Sequence, residues 1–281
     1  MKKIIKKIIN FLMDVFIRFL YSFRFGRYLM EIIQKKIKMI KYDVSYNGNL
    51  YKFYTPNRLN FFRAKTFLTK EPETINWIKT FKDDSIFWDI GANVGLYTCF
   101  ASKEKKVTTY AFEPSLFNLE ILAKNIYLND LSEKAIIIPL SLTDKLKLSN
   151  FNMSNTDEGG SMSTFSENYT HTGKSLNINF RYKTLGVSGD DLIKKLNLEY
   201  PHYIKIDVDG IEHLILKGFD EVLENAISVL IEVNDNFELQ KENVYETLKN
   251  KGFILENKKQ SEMIASSKLN SNVYNQIWYK K

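Results

Sequence analysis

Residues 87–98 read Phe-Trp-Asp-Ile-Gly-Ala-Asn-Val-Gly-Leu-Tyr-Thr: an apolar run ending in an acid, then Gly-x-x-x-Gly, then a second apolar run. This is the grammar of a strand turning sharply into a helix. Glycine lets the backbone turn tightly and lets a ligand approach it closely. The unpaired N–H groups of the helix start favour a carboxylate or phosphate. The next apolar run, 107–112, ends at Glu113, 24 residues after Asp89. An acid at the end of the second strand is where a ribose diol can be gripped by two hydrogen bonds. The dinucleotide pattern Gly-x-Gly-x-x-Gly is absent, because Asn93 stands at its second glycine, and no Gly-Lys-Ser/Thr completes a phosphate loop. A nucleotide-dependent oxidoreductase therefore stays open only as an alternative.

From there the chain alternates. Apolar runs at 85–90, 107–112, 135–140, 203–208, 227–233, 253–256 and 276–279 predict strands. Helices are predicted at 94–102, 115–129, 211–216 and 242–251. Alternating β and α with apolar strands implies an α/β fold, a doubly wound, Rossmann-like, mostly parallel seven-stranded sheet covered on both faces. Residues 1–80 are expected to form a basic amphipathic helical extension with a small hairpin at 42–55, turning on Asn47-Gly48, and a short helix at 71–81. Residues 81–281 form the main domain. Residues 150–188, rich in Ser, Thr and Asn, interrupt its rhythm. Long loops in compact α/β domains tend to be functional, so a substrate-side flap with one or two short strands, such as 177–182, is expected there.

Charge is unevenly placed. Residues 1–41 carry eleven Lys or Arg against two acids, a net +9, which leaves −2 for the other 240 residues of a chain whose total is +7. The basicity belongs to one segment, which argues against a nucleic-acid groove in the main domain. On a helix, Lys3, Lys7, Asn10, Asp14 and Arg18 make a narrow polar stripe opposite a wide face of Ile, Leu and Phe. Two readings are open: a helix packed on protein, in the domain or in a homodimer, and a helix lying on a membrane surface. The longest uncharged stretch there, 8–13, is too short to span a bilayer. A single cysteine, Cys99, excludes an intrachain disulfide and a thiolate metal cluster. The expected location is cytoplasmic, with the first 40 residues as the candidate peripheral contact.

Three segments carry a family resemblance. Asp89-Ile-Gly-Ala-Asn-Val-Gly-Leu-Tyr-Thr98, Ala111-Phe-Glu-Pro-Ser-Leu-Phe-Asn118 and Tyr203-Ile-Lys-Ile-Asp-Val-Asp-Gly-Ile-Glu212 resemble the first-, second- and fourth-strand motifs of the FkbM-type methyltransferases. Leu230 to Asn234 is similar to the fifth. The resemblance spans 85 to about 235. Asp209 stands where the family usually has Glu. The resemblance implies a class I S-adenosylmethionine-dependent O-methyltransferase whose acceptor is a sugar hydroxyl, on a nucleotide-linked sugar or a surface glycan, with another small-molecule or lipid-linked hydroxyl as the alternative. It also implies that Asp89, Gly91, Ala92, Asn93 and Gly95 line the methionine end of the cofactor. Glu113 and Pro114 would lie at the ribose, and Ser141 to Asp144 at the adenine.

Ligands of open α/β sheets lie beyond the carboxyl ends of the strands. Asp207, Asp209 and Glu212 cluster at the end of the fourth strand, with His213 beside them, and Glu232 and Asn234 at the end of the fifth. Three readings are open. One carboxylate, Asp207 by preference, is a general base, with His213 able to shuttle the proton. Asp207, Glu232 and Asn234 bind Mg²⁺ or Mn²⁺. Or the acids cap the following helix, with Lys205 neutralising one. For a nucleotide-linked acceptor, Lys174, Arg181 and Lys183 on the flap are the cations expected near its phosphates.

Overall fold

The computed structural model describes residues 2–260, 265 and 272–281. The chain begins with α1 (Lys2–Tyr21) and α2 (Arg24–Ile37). The break between them falls at Ser22, whose amide and hydroxyl both donate to the Phe19 carbonyl. An antiparallel hairpin follows, β1 (Lys41–Tyr46) and β2 (Asn49–Tyr54), turning on Asn47 and Gly48, both at positive φ. Next come α3 (Arg58–Lys70) and α4 (Pro72–Lys79). The Asn57 side chain caps α3 by accepting from the Asn60 amide, and a proline opens α4, where a missing N–H costs nothing. Sequence periodicity does not predict α3, because its polar and apolar residues are interspersed around the helix.

The central sheet then starts with β3 (Ile86–Ile90), α5 (Leu96–Glu104), β4 (Thr108–Phe112), α6 (Leu116–Leu128) and β5 (Ala135–Ile138). Helix α5 begins at Leu96 rather than Val94, because Asn93 and Gly95 both sit in the left-handed region. The chain leaves this sheet for β6 (Ser141–Leu142), β7 (Lys147–Met153), β8 (Ser163–Phe165) and β9 (Phe180–Val187). It returns through α7 (Gly189–Leu196) to β10 (Tyr203–Ile206), α8 (Glu212–Lys217), α9 (Asp220–Asn225), β11 (Ser228–Asn234), α10 (Glu238–Asn250), β12 (Phe253–Lys259) and β13 (Val273–Lys280).

The seven-stranded sheet has the order β12-β13-β11-β10-β3-β4-β5. All its strands are parallel except β13, which runs against both β11 and β12. The strand order turns at β3 and β10: β4 and β5 lie to one side, β11 to the other. That is where an open sheet leaves a crevice beyond its carboxyl edge. Alternate side chains serve opposite faces. Trp88, Ile204 and Ile231 pack with Leu192, Ile215, Val222 and Val244 from α7 to α10. Phe87, Tyr203 and Leu230 pack with Trp77, Phe100 and Leu122 from α4 to α6.

Two features differ from the sequence reading. The expected boundary at residue 80 is not a boundary in the core: Tyr51, Phe53, Phe67, Trp77 and Phe81 are buried in the same cluster as Phe87 and Phe100. Among the described residues ahead of the sheet, only those up to Ile40 stand off it. The flap is also more ordered than one or two short strands. It is a four-stranded sheet in the order β6-β9-β7-β8, beginning at Ser141 and extending past Tyr182 to Val187. Strand β7, Lys-Leu-Ser-Asn-Phe-Asn-Met, is too polar to announce itself, since only its last three residues are buried.

Candidate active site

The glycine turn is clamped to its neighbours by backbone. The amides of Gly91 and Ala92 both donate to the Phe112 carbonyl, 3.0 Å each. Gly91 has φ +80°, and a Cβ there would stand 1.9 Å from the Asp207 carbonyl oxygen. The end of β3 thus lies directly against the end of β10, which only a residue without a side chain allows. Glu113, buried at the end of β4, accepts from the Asn93 amide (2.8 Å) and the Ser115 amide (2.7 Å). Burial pushes its carboxyl up to about 7 against these two donors.

A cleft of about 560 Å³, counting the space open to solvent, lies over this turn. Its polar wall is Gly91, Asn93, Glu113, Ser115, Asn118 and Ser141, and its far end is apolar, made by Leu140, Leu142, Phe151 and Phe165. Asn93 Oδ1, Ser115 Oγ and Ser141 Oγ are buried with no hydrogen-bond partner. Native structures seldom leave such atoms unpaired unless a ligand or water meets them. The loop at 154–162 is strapped across this region. Asn93 Nδ2 (2.8 Å) and Asn118 Nδ2 (3.2 Å) donate to the Gly160 carbonyl, and the Gly159 amide donates to Asn118 Oδ1 (2.9 Å). From α3, Asn60 holds the Glu158 carbonyl and Arg63 Nε the Gly159 carbonyl.

A second, more polar cavity lies on the other side of the turn. It is lined by Arg63, Lys70, Glu71, His171, Glu232 and Val273, and it shares Gly91, Asn93, Ser161, Asp207 and Asp209 with the first. Asp207 accepts from the buried Lys205 Nζ at 2.8 Å. Burial alone would raise its carboxyl, but Lys205, aided by Lys70 and Arg63, holds it below the usual carboxylate range. Burial tends to discharge Lys205 too, and the charges of Asp207, Asp89 and Glu71 keep it protonated, with its pKa raised. Burial and the charge of Asp207 hold the Glu232 carboxyl well above the usual range. His171, 9% exposed, brings to this cavity an Nε2 that is buried without a partner.

The structure gathers Gly91, Asn93, Glu113, Pro114, Ser141, Asp207 and Asp209 around the first cavity, and Glu232 at the second. Ala92 lines a third pocket, with Val94, Tyr97 and Lys205. Other expected residues lie elsewhere. Asp89 points into the core, where it accepts from Thr98 Oγ1 at 2.6 Å. Gly95 packs under Leu122 at the start of α5. Asp144 pairs with Lys147 at 3.0 Å, away from the cavity. Glu212 is fully buried and holds the 208–210 turn by accepting from the Val208 and Gly210 amides. His213 packs edge-on to Phe237 and lines neither cavity, and burial drives its imidazole down to about 4. Asp209 Oδ2 accepts from the Met162 and Ser163 amides, which anchors β8. Lys174, Arg181 and Lys183 are exposed on the flap and line neither cavity.

Of the expected Mg²⁺ or Mn²⁺ set, Asp207 and Glu232 line the second cavity and Asn234 does not. Asp207 Oδ2 is taken by Lys205, and Asn234 Oδ1 accepts from the Asn236 amide in its own turn. Among the described residues no three His, Cys, Asp or Glu side chains are grouped to hold a metal ion. Sequence reasoning missed Arg63, Lys70 and Glu71, which come from an extension thought separate, and His171, whose loop gave no sign of where it folds back.

The model of the Methyltransferase FkbM domain matches residues 89–255. The hexuronic acid methyltransferase AglP of Haloferax volcanii is 30% identical over 158 residues, which cover 54% of this chain and 57% of that protein. The chain thus spans little more than half of that relative's length. Methyltransferase 1 of Beauveria bassiana is 25% identical over 193 residues, 63% of this chain and 75% of that one. A solved rRNA methylase from Streptococcus thermophilus aligns over 75% of this chain and 96% of its own, with 13% identity and a TM-score of 0.46.

Proposed function

The chain belongs to the FkbM methyltransferase family, and from that premise we propose that it transfers a methyl group from S-adenosylmethionine to an oxygen of a sugar. The observation that carries this reading is the pair of cavities sharing one wall at Gly91, Asn93, Ser161, Asp207 and Asp209. Two reactants held on either side of such a wall can meet in line, and methyl transfer is demanding in geometry.

The residues of the first cavity fit the cofactor. Glu113 is positioned to accept from two ribose hydroxyls, the unpartnered Asn93, Ser115 and Ser141 atoms to meet its polar edges, and the apolar end to receive a flat base. Bound there, S-adenosylmethionine supplies an electrophilic methyl group on a positively charged sulfur.

The second cavity is the acceptor side. Its lining is polar and of both signs, which suits a polyhydroxylated molecule. Arg63 forms no ion pair among the described residues, and its remaining guanidinium donors are free for an acidic or hydroxyl-rich acceptor. The hexuronic acid named for the Haloferax volcanii relative has that character. As the new C–O bond forms, the acceptor hydroxyl must lose its proton. Asp207, held low by Lys205, is a weak base, and burial beside Asp207 holds the Glu232 carboxyl well above the usual range. His171 Nε2 has no competing partner and takes the proton, which then passes to solvent. Asp207, itself held by Lys205, orients the hydroxyl.

Calorimetry with S-adenosylhomocysteine tests the first half, and labelled methyl transfer onto hexuronic acids and nucleotide-linked sugars tests the second. A protein that binds neither methyl donor nor demethylated product refutes the proposal. His171→Gln is expected to lower kcat by about a hundredfold or more with cofactor affinity unchanged.

A further inference from the structure

The first 40 residues take no part in the site. Among the described residues between 3 and 40, only Leu20 and Gly26 are buried, and they pack on each other at the α1–α2 corner. Leu29 and Met30 are half-buried, and the other described side chains of these two helices are exposed. On α1, Ile5, Ile8, Leu12, Phe16 and Phe19 recur at three- and four-residue spacing, one continuous apolar face, with Phe11 67% exposed beside it. Phe25, at the start of α2, is 68% exposed. A face of this size does not stay in water without an occupant.

The charge around it identifies the occupant. Of the described basic side chains up to residue 41, only Lys35 and Lys41 form ion pairs. Lys3, Lys6, Lys7, Arg18 and Arg24 have no acid partner among the described residues, so the surplus of cations is uncompensated. A second copy docking on the same face would bring two such surpluses together, and like charges repel. A helix of 20 residues is about 30 Å long, yet no described helix is apolar enough to cross a bilayer. We infer that α1 and α2 lie on the surface of an anionic lipid bilayer. Ile, Leu and Phe enter the headgroup boundary, and the lysines and arginines meet lipid phosphates along its rim.

The test is flotation of the full-length protein with vesicles of pure phosphatidylcholine and with vesicles that also contain phosphatidylglycerol. Binding is expected to be at least about tenfold tighter to the anionic vesicles and to weaken with added salt. Ile8→Glu with Leu12→Glu should abolish it, and Lys3→Glu with Lys7→Glu should remove the preference for anionic lipid. These side chains are exposed, so both variants should keep the circular dichroism and S-adenosylhomocysteine binding of the parent. No flotation with either vesicle, or equal flotation with both, overturns the inference. So does a dimer in light scattering that Ile8→Glu with Leu12→Glu dissociates while vesicles remain unbound, because that assigns the face to a second copy.

Discussion

Glu113 shows how a single buried residue sets a pH dependence. Its carboxyl must be ionised to accept from two hydroxyls as well as two amides, and burial raises it to about 7. A ligand that donates to the carboxylate binds the ionised form. Affinity for S-adenosylhomocysteine is therefore expected to fall as pH drops from 8 through about 7 to 6. Titration calorimetry at several pH values checks this, and Glu113→Gln should bind weakly with a flat profile. Lys205 matters for a different reason. It is buried, holds the half-buried Asp207 at 2.8 Å and stands across the β3–β10 register from Asp89. Lys205→Met leaves the buried Asp89 and the half-buried Asp207 without their cation, and breaking a buried pair in this way typically costs up to about 3–5 kcal/mol. Urea unfolding measures it, and an unchanged midpoint would mean the pair is better solvated than its burial indicates. Gly91 and Glu113 were both legible in the sequence, since a glycine after an apolar strand and an acid at the end of the next have local signatures. The inward turn of Asp89 was not, because its partners Thr98 and Lys205 lie on other elements.

At the scale of elements, the strap at 154–162 joins three parts of the molecule. It comes from the flap, crosses the first cavity, and is held by Asn93 and Asn118 below and by Asn60 and Arg63 of α3 above. Arg63 also lines the second cavity, so the residue that holds the strap closed borders the proposed acceptor side. Asn118→Ala removes two of these bonds. Net hydrogen bonds of this kind are worth about 0.5–1.5 kcal/mol each, so S-adenosylhomocysteine is expected to leave about tenfold faster while the melting temperature barely moves. Stopped-flow displacement gives the rate, and faster hydrogen exchange confined to 154–162 would tie it to the strap. The strap's existence was foreshadowed by a long polar insertion. Its path was not, because Asn-Met-Ser-Asn and Gly-Gly carry no periodicity that says which wall they will lie against.

At the scale of the whole molecule, one core unites the sheet with the hairpin, α3 and α4, and Cys99 sits inside it with no exposed surface. Burial pushes its thiol up to about 12, so it reports on opening of the entire core. Labelling by a thiol reagent in native buffer is expected to be at least about a thousandfold slower than for a free cysteine, the protection that a marginally stable domain affords. Removing residues 2–21 should leave that protection intact, since α1 buries almost nothing against the body. Rapid labelling of the intact protein would mean the core opens locally around α5. The amino-acid sequence by itself determined the alternating α/β sheet, the glycine turn and the acid at the end of the second strand. Each is written in neighbouring residues as an apolar period, a missing side chain or a fixed offset. Only the tertiary structure decided that α3 and His171 come to the site, that Asp209 and Glu212 are anchors, and that Asn234 turns away. Those outcomes depend on which distant segments share a wall, and burial and charge act through space without regard to order along the chain.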